Sequence, residues 1–294
     1  MRLDDVAERL GITIVRSQEF DHLGFFTDRR HRVLSPFFNR KFRAELVANP
    51  QIVMVLTTPQ LAEEIPPERG LATATNPLQT FIKFHIFLHE QGSYWRSFKS
   101  RISPGARIHP RAYVADNDVE IGGGVIIGPN ATVLERTIVG DECVIGPGVV
   151  LGCEGYEPRD LDGRRIIVPH AGGVRLGNRV QIQANSAVSR SLYGGFTEIG
   201  DETTTDNFVH IAHNVKIGRR CRLAAAAMIA GSTTVGDDVW IGPNSTISSS
   251  IKIGNRARVT LGAVVTQDVA DDGHVSGNFA IEHKKLLKFI AGIR

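Results

Sequence analysis

Aliphatic residues recur at every sixth position in the second half of the chain. Between residues 199 and 265, eleven of twelve such positions hold Ile, Leu or Val. The twelve positions are Ile199, Thr205, Ile211, Ile217, Leu223, Ile229, Val235, Ile241, Ile247, Ile253, Val259 and Val265. A period of six fits neither an amphipathic helix nor a simple alternating strand. It predicts short strands joined by turns, with each repeat burying one aliphatic side chain inside a prism.

The same period occurs earlier in the chain, with one extra residue between Val114 and Ile121 and two longer interruptions. Its positions there are Ile102, Ile108, Val114, Ile121, Ile127, Val133, Val139, Ile145, Leu151, Leu176, Ile182 and Val188. Residues 152–175 and 189–198 break the register, and we expect both to be loops that leave corners of the prism. Long excursions from a rigid scaffold often carry function.

The flanking segments do not follow the sixfold pattern. Residues 3–10 have the spacing of one helix face, and residues 51–56 read as a buried strand. Asn76 and Pro77 are a cap and a first-turn proline for a further helix. We therefore predict a small α/β domain over residues 1–100. The prism would cover residues 101–275, and residues 276–294 would form a tail with a short helix lying on the prism.

Composition excludes several classes of protein. The chain has 294 residues, of which 42% are hydrophobic and 22% charged, so a folded protein is expected. No run approaches ~18 apolar residues, and the acidic N-terminus does not resemble a signal peptide, which favours a cytoplasmic location. Three cysteines without a CxxC pair argue against a disulfide scaffold or structural zinc. A net charge of +3 does not by itself predict a nucleic-acid partner.

Residues 29–43 combine six Arg or Lys residues with three phenylalanines. Cations and aromatic rings together suit a nucleotide, because the base stacks and the phosphates pair with arginine. A solvated basic face beside core phenylalanines is the other interpretation, and composition alone favours it.

Residues 205–215, TDNFVHIAHNV, resemble the active-site coil of the lipid A acyltransferases, and above all that of the UDP-3-O-(3-hydroxyacyl)glucosamine N-acyltransferase family. The resemblance implies a mainly β protein: a left-handed parallel β-helix with a small N-terminal uridine-binding domain, assembled as a homotrimer. It also implies that His213 is the general base, since an attacking amine must lose a proton and imidazole titrates near neutral pH.

The repeat connects His213 with a second candidate. In the family three hexads make one coil of 18 residues, so Gly231 would lie one coil beyond His213. Neighbouring strands are about 4.8 Å apart. The Gly231 N–H could therefore stabilise the oxyanion of the tetrahedral intermediate, as the corresponding glycine does in the family.

The resemblance supplies further substrate-binding candidates. Residues 36–42 correspond to the family's FxxNPKY uracil pocket, in which Asn39, Lys41 and Phe42 are kept. Pro36 replaces the first stacking ring, and we expect Phe37 to substitute for it.

The active-site coil adds three more candidates. Asp206 and Asn207 match residues near the sugar, although capping a turn is their alternative role. His210 either orients substrate or faces a neighbouring subunit.

The donor side matches the family less closely. Residues 152–158 replace a GxDGFGY-like loop, with Tyr156 as the remaining aromatic, and Ser250 aligns with a second family histidine. Gly277 and Asn278 instead resemble the GNPA segment of coenzyme A-dependent acetyltransferases. The acyl-phosphopantetheine donor could thus be acyl carrier protein or coenzyme A, and no permanently bound cofactor is expected.

The sequence therefore favours an N-acyltransferase acting on a UDP-linked amino sugar in a lipid A-type pathway, with its site between trimer subunits. A coenzyme A-dependent nucleotide-sugar acetyltransferase for O-antigen or capsule sugars is the alternative. A zinc enzyme of the γ-carbonic anhydrase type would need a third histidine besides His210 and His213. A non-catalytic scaffold is the remaining class. We expect no metal, no nucleic acid, and at most peripheral membrane contact.

Overall fold

The computed structural model describes residues 1–277 and 282–293, which form two compact units. The first unit contains Met1–Lys99, Glu154–Val174 and Arg190–Phe196. The second unit contains Ser100–Cys153, Arg175–Ser189 and the chain from Thr197 onward. The two excursions from the sixfold register therefore contribute most of their residues to the first unit.

The first unit is built on a five-stranded sheet in the order β1-β5-β4-β3-β2. Its strands are β1 (Thr13–Arg16), β2 (His22–Leu23), β3 (Val33–Phe37), β4 (Ile52–Thr57) and β5 (Gly70–Thr73). The four strands β2 to β5 pair in parallel, and β1 pairs with β5 in antiparallel fashion. All five residues of β3 are buried, as expected for a strand covered on both faces.

Three α-helices accompany this sheet: α1 (Ala7–Leu10), α2 (Arg43–Ala48) and α3 (Pro77–Glu90). The predicted cap of α3 is present, since Asn76 Oδ1 accepts a hydrogen bond from the Gln79 N–H at 3.1 Å. Short 3₁₀ helices cover Asp4–Val6, Arg40–Phe42 and Pro59–Glu64. The longer excursion forms an antiparallel hairpin, Pro158–Leu161 with Arg164–Ile167.

The second unit has three walls of stacked parallel strands. The first wall contains Arg107–Ile108, Ile126–Ile127, Val144–Ile145, Gln181–Ile182, Thr204–Thr205, Arg222–Leu223, Trp240–Ile241, Arg258–Val259 and His274–Val275. The second wall contains Tyr113–Val114, Thr132–Val133, Val150–Cys153, Ala187–Ser189, His210–Ile211, Met228–Ile229, Thr246–Ile247 and Val264–Val265. The third wall contains Arg101–Ile102, Val119–Ile121, Thr137–Val139, Gly173–Leu176, Phe196–Ile199, Lys216–Ile217, Thr234–Val235 and Lys252–Ile253. The predicted fold class, mainly β with a left-handed parallel β-helix, is confirmed.

Every inward position from Ile121 onward is buried, so the sixfold period does mark the core of the prism. Thr205, the one polar member of the later run, is only 2% exposed. Its Oγ1 accepts a hydrogen bond from the Gln183 N–H at 3.3 Å. At the start of the stack Ile102 is 45% exposed, because the first coil has no coil before it.

The corners bend through the left-handed region. Asn214, Ser232 and Ser250 have φ values of 61°, 61° and 62°, and each follows its inward aliphatic by three residues. The corner that follows the third wall carries a ladder of side-chain acceptors. There Asp237 Oδ1 accepts the Arg219 N–H at 2.8 Å, and Asn255 Oδ1 accepts the Asp237 N–H at 2.9 Å.

Helix α4 (His283–Ile293) follows the prism. Leu287, Phe289 and Ile293 are 52%, 64% and 69% exposed, and Ile290 is 44% exposed. The expectation that this helix lies on the prism is therefore wrong, because these apolar side chains face solvent instead of a wall.

Candidate active site

His213 lies at the corner that follows the second wall. Ile211 ends the strand His210–Ile211 with its side chain in the core, and the chain then turns through Ala212 and His213. The His213 side chain is half-buried at the rim of the prism. It is thus placed on the outside of the coil, where a substrate can reach it.

Gly231 occupies the same corner one coil later. The strands pair in register, with His210 opposite Met228, and the Ser232 N–H donates to the His213 carbonyl at 2.9 Å. A Cβ atom placed on Gly231 would lie 2.7 Å from His213 Cε1 and 2.8 Å from Nε2. The imidazole therefore covers the glycine directly, and the predicted stacking of these two residues is present. Their catalytic roles remain predictions.

The Gly231 N–H has no hydrogen-bond acceptor among residues 1–277 and 282–293. The ladder corner is different, because there Asp237 and Asn255 accept such N–H groups. An N–H group left without an acceptor beside an imidazole can stabilise an oxygen atom that gains negative charge.

Ser250 lies at the same corner in the coil after Gly231, in the column of Asn214 and Ser232. Its N–H donates to the Gly231 carbonyl at 3.0 Å, and its side chain is exposed. The structure therefore brings His213, Gly231 and Ser250 together at one corner. The expected contact of Ser250 with the acyl donor remains a prediction.

His210 faces outward from the second wall, between Ala187 and Met228 in register. Burial lowers the pKa of its imidazole. His210 lies on the wall and His213 at the corner. In the described ranges no three His, Cys, Asp or Glu side chains are arranged to hold a metal ion.

Asp206 and Asn207 form a self-capped turn at the preceding corner of the coil. Asp206 Oδ1 accepts the Asn207 N–H at 2.7 Å and the Asn207 Nδ2 at 3.0 Å. Within one chain they therefore share no corner with His213. This geometry supports the turn-capping role, and contact with a sugar remains a prediction.

In the first unit, the structure separates the two phenylalanines proposed for base stacking. Phe37 is fully buried on β3, with 0% exposure, so the prediction that it replaces the missing stacking ring is wrong. Phe42 is half-buried and stacks on Phe26 with the ring centroids 5.3 Å apart. The Lys41 ammonium lies 4.7 Å from the Phe42 ring centroid. Lys41 and Phe42 remain the accessible pair.

Several polar residues of that segment already form local hydrogen bonds or ion pairs. Asn39 Oδ1 accepts the Lys41 N–H at 3.0 Å and so caps a 3₁₀ turn. Arg40 and Arg43 each lie 3.1 Å from a Glu64 carboxylate oxygen. For these two arginines the geometry agrees with the solvated basic face.

One cluster in the first unit is not apparent from the sequence. The His170 N–H donates to Glu154 Oε2 at 3.0 Å, and the Arg190 guanidinium lies 3.8 Å from Glu154 Oε1. Burial raises the pKa of Glu154, but hydrogen bonds from His170 and the charge of Arg190 outweigh it and lower that pKa overall. The three residues come from the two excursions, and the sequence signals for them are the breaks in register and the resemblance of Glu154, His170 and Arg190 to family positions.

The remaining donor-side candidates are spread out. Tyr156 belongs to the first unit and is 78% exposed. Around Gly277, no atom of the described residues other than its chain neighbours lies within 4 Å of the position that a Cβ would take. Asn278 lies outside the described residues.

Comparison with known proteins identifies the repeat. The family described as "Bacterial transferase hexapeptide (six repeats)" matches residues 118–153, 196–231 and 232–267. A UDP-3-O-acylglucosamine N-acyltransferase 1 of Francisella tularensis subsp. holarctica is 39% identical over 117 residues, covering 39% of this chain and 33% of that protein. The corresponding enzyme 1 of Gloeobacter violaceus is 52% identical over 150 residues, covering 51% and 43%.

A relative in Leptothrix cholodnii, also a UDP-3-O-acylglucosamine N-acyltransferase, is 28% identical over 214 residues and is matched over 59% of its length. The chain thus spans between 33% and 59% of the three relatives. Among solved structures, an Arabidopsis UDP-N-acetylglucosamine acyltransferase has a TM-score of 0.48 at 25% identity, covering 60% of this chain and 71% of that one. Three segments of the chain are therefore similar to the hexapeptide repeats of bacterial transferases, and part of the chain is similar in sequence to UDP-3-O-acylglucosamine N-acyltransferases.

Proposed function

We propose that this protein transfers an acyl group from a phosphopantetheine thioester to the amine of a UDP-linked amino sugar, in a lipid A-type pathway. The observation that carries the proposal is the imidazole of His213 stacked on Gly231, whose N–H has no acceptor among the described residues. The names of the sequence relatives support the same acceptor and reaction.

In this mechanism the sugar amine attacks the thioester carbonyl carbon and a C–N bond forms. A nitrogen of His213 takes the proton that the amine loses. The carbonyl oxygen becomes an oxyanion, and the Gly231 N–H donates a hydrogen bond to it. The C–S bond then breaks, and the departing thiolate takes its proton from the His213 imidazolium.

Substrate binding in this proposal uses the remaining accessible candidates. Phe42 stacks on the uracil while Lys41 and Asn39 lie beside it. Ser250, whose N–H donates to the Gly231 carbonyl, contacts the phosphopantetheine arm. Tyr156 and Gly277 are further donor-side candidates.

The test is an assay with 3-hydroxyacyl carrier protein and acetyl coenzyme A as donors. The acceptors are a UDP-amino sugar with a free amine and its N-acetylated counterpart. We expect acylation of the free amine only, and a loss of roughly 10²-fold or more in kcat for His213→Ala. His109→Ala, which removes an exposed histidine of the first coil, is the matched control. Unchanged activity of His213→Ala would refute the mechanism.

Gly231→Ala tests the stacking itself. The added methyl group would overlap the imidazole, so we expect His213 to move and kcat to fall by a factor comparable to that of His213→Ala. Thermal unfolding of each variant separates this effect from a loss of folded protein. Unchanged kcat in folded Gly231→Ala would show that neither the glycine nor the position of His213 matters for the reaction.

A further inference from the structure

Helix α4 presents an apolar face that nothing in the described chain covers. Leu287, Ile290 and Ile293 are three residues apart and share one side of the helix. Phe289 lies four residues before Ile293, on the edge of the same face. All four side chains are between 44% and 69% exposed. Exposed apolar residues arranged this way indicate a surface that is buried in some other state of the molecule.

The opposite face of α4 is basic. Lys284, Lys285 and Lys288 have spacings of three and four residues and therefore lie together. All three are exposed, and His283–Ile293 contains no acidic residue. The helix thus carries a concentrated positive charge beside its apolar face.

We propose that α4 binds the surface of an anionic lipid membrane, lying in the plane of the interface. The apolar side chains would enter the boundary between headgroups and acyl chains, and the lysines would reach the phosphate groups. Basic charge opposite an apolar arc is the arrangement that fits such a surface. The inference does not depend on the proposed acyl transfer.

The dimensions of the helix agree with lying on a membrane and not with crossing it. It has 11 residues, whereas about 20 are needed to span a bilayer. Nowhere in the described ranges is a helix both long and apolar enough to traverse a membrane. Binding at the membrane surface needs only one apolar face along the helix and cationic side chains beside it.

The experiment is co-sedimentation of the full chain with vesicles of phosphatidylcholine alone or in equimolar mixture with phosphatidylglycerol. We expect binding to the anionic vesicles and much weaker binding to the neutral ones. Replacing Lys284, Lys285 and Lys288 with Gln should weaken binding to anionic vesicles roughly a hundredfold, at about fivefold per lysine.

A second variant, Phe289→Ser with Ile293→Ser, should weaken binding by about tenfold or more. The matched control is Val15→Ser with Val47→Ser, which removes apolar side chains of 53% and 48% exposure from the first unit. Thermal unfolding should be unchanged in all variants, because every altered side chain is exposed. The proposal is overturned if the wild-type chain does not bind anionic vesicles, or if both α4 variants bind as wild type does. It is also overturned if the apolar variant changes only the oligomeric mass.

Discussion

His85 is fully buried in the first unit, and both of its ring nitrogens have partners. Nδ1 lies 2.7 Å from the Tyr94 hydroxyl and Nε2 lies 2.8 Å from the Pro169 carbonyl. The Pro169 carbonyl can only accept, so Nε2 carries the proton of the neutral ring. Burial raises the pKa of Tyr94 well above its ordinary value, and its hydroxyl donates a hydrogen bond to Nδ1. The N–H at Nε2 then donates to Pro169. This arrangement requires a neutral imidazole.

The pH dependence of stability follows from this imidazole. Burial lowers the pKa of His85 from 6.5 to about 4, although the Pro169 hydrogen bond opposes the shift. Between these two pH values the unfolded chain binds a proton at His85 that the folded chain does not bind. The free energy of unfolding therefore falls as pH decreases from about 6.5 to 4. The full effect is about 3 kcal/mol in the free energy of unfolding.

His85→Gln provides the comparison. We expect this variant to be less stable than wild type at pH 7, with the difference shrinking as the pH falls to 4. Urea unfolding at several pH values measures the free energy of unfolding of wild type and of His85→Gln. A difference that stays constant with pH would contradict the assignment of a neutral, buried His85.

At this scale the sequence identified the candidate catalytic pair but not the environment of every aromatic side chain. The pairing of His213 with Gly231 follows from the sixfold period together with the coil of three hexads that the family resemblance implies, since one coil separates them. Phe37 and Phe42 belong to the same segment of cations and aromatic residues, and only the tertiary structure decides which of them is buried. Phe37 lies on a strand covered on both faces, which a short sequence window does not reveal.

Among the structural elements, the acceptor ladder at the third-wall corner stabilises the stacking of successive coils. Asp237 accepts the Arg219 N–H at 2.8 Å, and its second oxygen lies 2.9 Å from Arg219 Nη2. Hydrogen bonds from Arg219 hold the pKa of Asp237 below its ordinary value. Each such acceptor satisfies a corner N–H that the strand ladders leave unpaired.

Asp237→Ala should lower the free energy of unfolding by about 1–2 kcal/mol, because the Arg219 N–H loses its acceptor. Asp237→Asn keeps an acceptor oxygen and loses only an exposed ion pair, worth about 0–1 kcal/mol. Urea denaturation of the two variants compares them directly. Equal losses of unfolding free energy in Asp237→Ala and Asp237→Asn would mean that the charge of Asp237, and not its hydrogen bond with the Arg219 N–H, stabilises this corner.

The strands of the prism were predictable because each repeat is local and marks its own core residue. The structure of the excursions was not predictable, because their residues contact residues that lie far away in sequence. Lys83 pairs with Asp162 at 2.8 Å, and Glu154 meets Arg190, yet no periodic signal links these segments. The exposure of α4 was also missed, since an amphipathic pattern predicts a buried face without naming what buries it.

For the molecule as a whole, we expect assembly through the second wall. Its outward positions include Tyr113, Met228 and Val264, which are 54%, 48% and 61% exposed. The predicted homotrimer would cover such side chains, and it would place His210, which pairs in register with Met228, beside a neighbouring subunit.

Met228→Glu should therefore weaken the trimer, because assembly would have to bury a charge. Size-exclusion chromatography with light scattering measures the mass of the assembly. Thr234→Glu, at an exposed outward position of the third wall, is the control and should leave the mass unchanged. A monomeric wild-type chain would remove the basis for a site between subunits.

The register of the second wall also limits how such a chain can change in length. His210 pairs with Met228, and Met228 pairs with Thr246, so the spacing between equivalent positions is 18 residues. An insertion or deletion of that size adds or removes a whole layer and keeps every later aliphatic residue inside. A change that is not a multiple of six would turn core residues outward unless the surplus leaves at a corner, as the two excursions do. A change of six or twelve residues would keep them inside but move every later strand to a different wall. Folded chains of this type that differ in length should therefore differ by entire 18-residue layers or by loops inserted at the corners.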